Sequence, residues 1–184
     1  MIKKIILLLI LLNIYSLSKA SIKDEIIFNF KKIQNISFNF KQTIDEKSEN
    51  GSCTIQYPKK IYCKYNNSKK KIIVSNGKSL VIKNQSTNKS FLYPLKKTPL
   101  NLILDKNFLL NQITKSDGRL VNDKYYNFLL KNNDFKINIF FDKNTYDLIG
   151  WQTEDIYQNL VITFIYNIKK NKKIDKKIFI LPKL

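Results

Sequence analysis

From Ser37 onward the apolar residues of this chain keep falling at every second position, in short runs broken by Pro, Gly, Asn and Asp. A period of two sends successive side chains to opposite faces, so the chain is committed to strands with one dry face and one wet face. In "SFNFKQTI", Phe38 and Phe40 alternate with polar residues. In "CTIQYPKKIYCKY", Cys53, Ile55 and Tyr57 share one face, and Ile61, Cys63 and Tyr65 share the matching one. Thr54, Gln56, Lys60 and Lys64 point the other way. "IIVSNGKSLVI" reads as a strand, an Asn76-Gly77 turn of the kind that favours positive φ, and a second strand. "KSFLYPL", "YYNFLL", "FKINIFF", "DLIGWQT" and "NLVITFIYNI" continue the series.

Two segments break the period. In "SIKDEIIFNFKKIQNI", Ser21 is placed to cap a helix whose Ile22, Ile26, Phe30 and Ile33 fall near one face. In "TPLNLIL", Thr98 suits the N-cap and Pro99 the first helical position, ahead of Leu100, Leu102, Ile103 and Leu104. "KNFLLNQI" either prolongs that helix or forms another short one. The fold class is therefore mainly β with a few helices (α+β), a long antiparallel meander. Short helices cannot cover nine or ten strands laid flat, so the sheet must curve and take the helices on its concave side. The enclosed space is either filled core or an apolar pocket.

The N-terminus belongs to a different pattern. Met1, Lys3 and Lys4 precede the apolar run "IILLLILLNIY", and "SLSKA" ends in Ser18-x-Ala20, which predicts a signal peptide over residues 1–20 with cleavage after Ala20. The alternative, an uncleaved anchor, would need about 20 apolar residues to span a bilayer. Ser21 rather than Cys opens the mature chain, so no lipid is expected there. The remaining 21–184 suits one domain, soluble and beyond the inner membrane.

The whole chain carries 33 basic and 14 acidic side chains, net +19. Removing Lys3, Lys4 and Lys19 leaves 33 − 3 = 30 basic against 14 acidic, or +16. The lysines are scattered among Asn and Ile, Arg119 is the only arginine, and no nucleic-acid motif is present, so a nucleic-acid partner is not expected. The chain has no His, no nucleophile elbow and no Cys/His cluster, so neither an enzyme nor a metal or other cofactor is expected. Asp45, Glu46 and Glu49 cluster in a polar turn before Gly51, where solvated carboxylates are normal. Cys53 and Cys63 lie ten residues apart around "YPKK" and form either a cross-strand disulfide or two buried thiols.

Phe40-x-Gln42-Thr43 after an amphipathic first helix, Gly51 leading to a strand that ends at Pro58, "VSNGKSLVI" and "YPLKKTPLNLIL" come in the order seen in LolA. Over Ser21 to Leu181 the chain resembles that family, periplasmic carriers of outer-membrane lipoproteins, and "KIFILP" is similar to its closing Phe-x-Phe-x-Pro strand. The resemblance implies an incomplete β-barrel closed by a helical lid around an acyl-chain cavity. Phe38, Phe40, Ile55, Tyr57, Ile61, Cys63 and Tyr65 would line the sheet side, with Ile61 near the mouth. Ile22, Ile26, Phe30, Leu100, Ile103 and Leu104 would form the lid.

The same resemblance implies a monomeric carrier of triacylated lipoproteins, loaded by an inner-membrane lipoprotein-releasing ABC transporter and unloaded at the outer membrane by a receptor where one exists. One departure stands out. The family usually has a basic residue directly before the proline matching Pro58, bonded across to the lid, and this chain has Tyr57, whose hydroxyl is expected to donate to a lid carbonyl instead. Lys59 and Lys60 are expected to point elsewhere. The alternative reading is an envelope interaction domain, either a receptor like the membrane-anchored LolB or a sensor.

Overall fold

The computed structural model describes residues 21–155 and 158–183, so the expected signal peptide, 1–20, lies outside the described residues. Each alternating run forms a strand. They are β1 (Asn35–Ile44), β2 (Lys47–Gln56), β3 (Lys60–Tyr65), β4 (Lys71–Asn76), β5 (Ser79–Asn84) and β6 (Ser90–Pro94). After the central helices come β7 (Arg119–Val121), β8 (Tyr125–Lys131), β9 (Lys136–Asp142), β10 (Leu148–Glu154) and β11 (Leu160–Lys170). Together they make one antiparallel sheet in the order β6-β5-β4-β3-β2-β1-β11-β10-β9-β8-β7. The first and last strands pair, so the sheet's two edges are β6 and β7, strands consecutive in the chain. The segment joining them carries the central helices, whereas the first helix precedes β1. Register breaks at Ser37/Asn39 and Leu148/Gly150 help bend the sheet.

Helix α1 (Ile22–Lys31) starts with a capping box, in which the Ser21 hydroxyl accepts from the Asp24 N–H while the Asp24 carboxylate accepts from the Ser21 N–H. It buries Ile26 and Phe30 and packs against α3 (Lys106–Lys115), which buries Leu109 and Ile113. Each such fully buried side chain contributes about 2 kcal/mol. The Lys106 ammonium donates to the carbonyls of Lys31 and Ile33, satisfying the end of α1. A shorter helix, α2 (Leu100–Ile103), packs against α3 and is preceded by a 3₁₀ turn, Leu95–Lys97.

Several expectations are corrected. The first helix stops at Lys31, so Ile33, although buried, lies beyond it, and Ile22 at its first position is 43% exposed rather than part of the apolar face. Thr98 does not cap α2, because its hydroxyl turns back to donate to the Leu95 carbonyl and the capping position falls to Pro99. "KNFLLNQI" is a separate helix, capped by the Asp105 carboxylate accepting from the Phe108 N–H. Glu49 sits in a strand rather than a turn: "KSENG" is polar yet pairs with β1 because Asp45, at φ +51°, reverses the chain within two residues. Of Asn76 and Gly77 only Gly77 takes positive φ, at +102°. "KIFILP" forms no strand but a 3₁₀ turn, Lys176–Phe179, against the outer side of β3 and β4.

Candidate functional site

Strand register converts the alternation into rows of side chains across the concave face. Ile36, Ile55 and Ile61 form one row, Phe38, Cys53, Cys63 and Ile73 the next, and Phe40, Gly51 and Tyr65 a third, with Gln42 and Glu49 beyond. Ile36 and Ile55 are packed in the core with Phe30, Ile103 and Leu104, while Ile61, at the end of their row, reaches the cavity. Phe30 meets Tyr57 and Phe141 edge to face, both at 5.8 Å between ring centres. Beyond the helices the later rows are left uncovered. There an open cavity of about 780 Å³ lies between Phe40, Cys53, Cys63, Leu80, Trp151 and, on the lid side, Leu100. That volume is in the upper part of the range typical of ligand sites.

The expected site residues divide accordingly. Phe40, Ile61, Cys63 and Tyr65 line the cavity, and so does Cys53. Ile61 is a buried wall residue rather than one at the mouth. Phe38, Ile55 and Tyr57 do not reach the cavity and belong to the filled core, where Phe38 meets Trp151 edge to face and Tyr57 meets Phe30. Of the expected lid, only Leu100 reaches the cavity, beside Thr98 and Pro99. Ile26, Phe30, Ile103 and Leu104 are core, and Ile22 is exposed. Trp151, Ile73, Leu80 and Thr163 line the cavity and were missed, although each continues an alternating run. Which strand lies across from which is not written in any one run.

Cys53 and Cys63 are direct cross-strand partners, with Cα atoms 4.1 Å apart, and are joined as a disulfide in the cavity wall. Gly51 lets β2 and the Phe40 ring approach β3, bringing Phe40 and Tyr65 to 4.8 Å between ring centres.

The tie between sheet and lid differs from expectation at two residues. The Tyr57 hydroxyl is buried without a hydrogen-bond partner among the described residues, and burial holds its pKa far above the usual phenol value. It makes no bond to the lid, since its side chain is turned inward against Phe30. Lys59 makes that tie. Its N–H donates to the Leu104 carbonyl at 2.8 Å, and its ammonium donates to the Asn101 side chain at 3.0 Å and pairs with Asp105 at 3.2 Å. Positive φ, +66°, turns the side chain toward α2, and the buried Ser75 hydroxyl holds the Lys59 carbonyl at 3.0 Å.

At the far end of the cavity the wall turns polar. The Tyr65 hydroxyl donates to Gln42 Oε1 at 3.1 Å, and Gln42 Nε2 donates to the Thr163 hydroxyl at 3.0 Å. Lys71 lies over the Tyr65 ring, 3.8 Å from its centre, and pairs with Glu49, which also accepts from Asn67 at 2.9 Å.

An unclosed antiparallel sheet bent around helices, with an apolar cavity left at one side, defines a lidded half-barrel with room for an apolar ligand. The model of the outer membrane lipoprotein carrier protein LolA family matches residues 31–181, and the chain belongs to that family. No curated protein matches it in sequence. An uncharacterized conserved protein from Thermus thermophilus shares the fold, with TM-score 0.52 and 10% identity over 88% of this chain and 93% of that one. A LolA superfamily protein from Nitrosomonas europaea superposes with TM-score 0.44 and 9% identity, over 87% and 98%. MucB in the Pseudomonas aeruginosa MucA/MucB complex gives TM-score 0.49 and 9% identity, over 89% and 62%. Among the described residues no helix is long and apolar enough to cross a membrane.

Proposed function

We propose that this protein is a periplasmic carrier that shelters the acyl chains of lipoproteins in the cavity between Phe40, the Cys53–Cys63 bridge and Trp151, and moves them from the inner to the outer membrane. The carrying observation is that cavity, apolar on most of its wall and uncovered beside the lid. A chain of about 15 methylenes at about 0.8 kcal/mol each costs roughly 12 kcal/mol to leave in water, so a protein that escorts it must hide it. The only chemistry asked of the protein is binding and release. Cargo would arrive as triacylated lipoprotein from the inner-membrane releasing transporter and leave to an outer-membrane receptor where one exists. The lid tie through Lys59, Asn101 and Asp105 spans a few bonds, which suits a lid that gives way without ATP.

The test is titration with a fluorescent acyl probe, followed by challenge with a triacylated lipopeptide or its unacylated counterpart at low and high salt. Displacement by the acylated peptide alone, in both salts, is the expected result. Displacement by both peptides, or binding that vanishes in salt, would move the reading to an envelope interaction domain that uses surface charge.

A further inference from the structure

The polar end of the cavity is built across several strands. Gln42 comes from β1, Tyr65 from β3, Lys71 from β4 and Thr163 from β11, and all four line the cavity. Thr163 is 2% exposed and Tyr65 8%, so these two are interior polar groups, and Gln42 and Lys71 beside them are half-buried. Placing them beside Phe40 and Trp151 removes hydrogen bonds to water that an apolar cargo cannot replace. A hydrocarbon-only site would be served better by Leu or Val at these positions.

Their hydrogen-bond inventory indicates what they accommodate. The Thr163 hydroxyl receives the bond from Gln42 and keeps its own proton. Gln42 Nε2 has a second N–H, and the Lys71 ammonium has N–H groups beyond the one given to Glu49. The belt thus has donors to spare. Charge does not favour an anion, however. Glu49 already faces Lys71, and the charged side chains lining the cavity balance, with Lys71, Lys97 and Lys136 against Asp134, Glu154 and Asp155. Spare donors in a charge-balanced, mostly apolar wall match an uncharged group that only accepts, such as the carbonyl and ether oxygens of an acyl ester.

We propose that Gln42, Lys71 and Thr163, with Tyr65 holding the Gln42 amide in place, read the ester oxygens of the bound acyl chain, so that the cavity selects acyl esters over free fatty acids and bare hydrocarbon. This rests on reading the cavity as an acyl site. The belt fixes where the polar head of the cargo sits and therefore which end of the chain enters first. A site that supplies hydrogen bonds discriminates against analogues unable to use them more sharply than an apolar pocket discriminates by size.

The experiment displaces the same fluorescent acyl probe with three competitors of equal carbon number: a fatty-acid methyl ester, the free fatty acid and the alkane. In the unmodified protein the ester should outcompete the alkane roughly tenfold, the worth of one or two good hydrogen bonds. In the Gln42→Leu/Thr163→Val variant that ratio should fall toward one while alkane affinity holds, which also shows that the cavity is still formed. Tyr65→Phe should lower the ratio part way. An unchanged ratio in the double variant overturns the belt. So does a free fatty acid that beats the ester and loses its advantage in salt, since the lysines would then be reading an anion. If no acyl compound displaces the probe, the acyl site itself falls, a different failure from either.

Discussion

Gly51 shows how much a single side chain sets in the cavity wall. A Cβ there would lie 2.0 Å from the Lys64 carbonyl oxygen and 2.9 Å from the Phe40 ring. The ring has somewhere to move, the backbone of β3 does not. Gly51→Ala should therefore cost about 3 kcal/mol, lowering Tm by roughly 6–12 °C in thermal unfolding. A fall of a degree or less would mean that β2 and β3 can part at no cost. Alternation put Tyr57 on the correct face, but whether its hydroxyl meets a partner depends on helices more than twenty residues away in either direction. That is why the expected bond to the lid is absent and the hydroxyl, packed against Phe30, has no partner among the described residues.

At the scale of elements, helix starts were legible where a side chain caps within its own turn. Ser21 does so, and its residue type and spacing already say as much. Thr98 does not, because a preceding 3₁₀ turn offers its hydroxyl the Leu95 carbonyl first. The β2–β3 turn is the element that ties sheet to lid. Lys59→Met removes the ion pair to Asp105 and the bond to Asn101 while keeping the apolar stem, and the backbone bond to Leu104 remains. The pair is partly exposed, so the loss should be about 1 kcal/mol or less. The clearer readout is amide exchange: protection of residues 98–105 should fall several-fold while β8 to β10 stay unchanged. Unchanged exchange in 98–105 would mean that the backbone bond and the packing of Leu102 to Leu104 hold the lid unaided.

At the scale of the whole molecule the sheet has two covered areas. The concave side is roofed by the helices. On the convex side, the turn Lys176–Phe179 lies against β3 and β4, where Ile72 and Val74 are buried, and the Lys83 ammonium holds the Lys183 carbonyl at 2.8 Å. Phe179, 3% exposed, is the anchor of that strap. Phe179→Ala should cost about 3 kcal/mol in chemical denaturation, with the acyl-probe affinity of the concave cavity kept, because the two sides share a sheet but not a core. Loss of probe binding along with stability would show that strap and cavity are coupled through the sheet.

The sequence by itself determined most of the strands and their dry faces, a helix at each end of β1 to β6 and the antiparallel class, because the period of an apolar run is a local property; it also offered a closing strand at "KIFILP" that the chain does not form. It also put Cys53 and Cys63 on neighbouring strands around one turn, since a ten-residue spacing is nearly local, and left open whether they bond, which the register of β2 and β3 decided. Tertiary structure alone decided which dry face is filled and which stays open. Phe38 and Phe40 belong to one unbroken alternation, yet Phe38 packs in the core against Trp151 and Phe40 lines a cavity, because the roof of helices gives out part way along the row of Phe38, Cys53 and Cys63. Where that roof ends depends on the chain's passage from β6 to β7 and on Lys59 holding α2 in place. Those are contacts between segments far apart in the chain, which no pattern within a single run encodes.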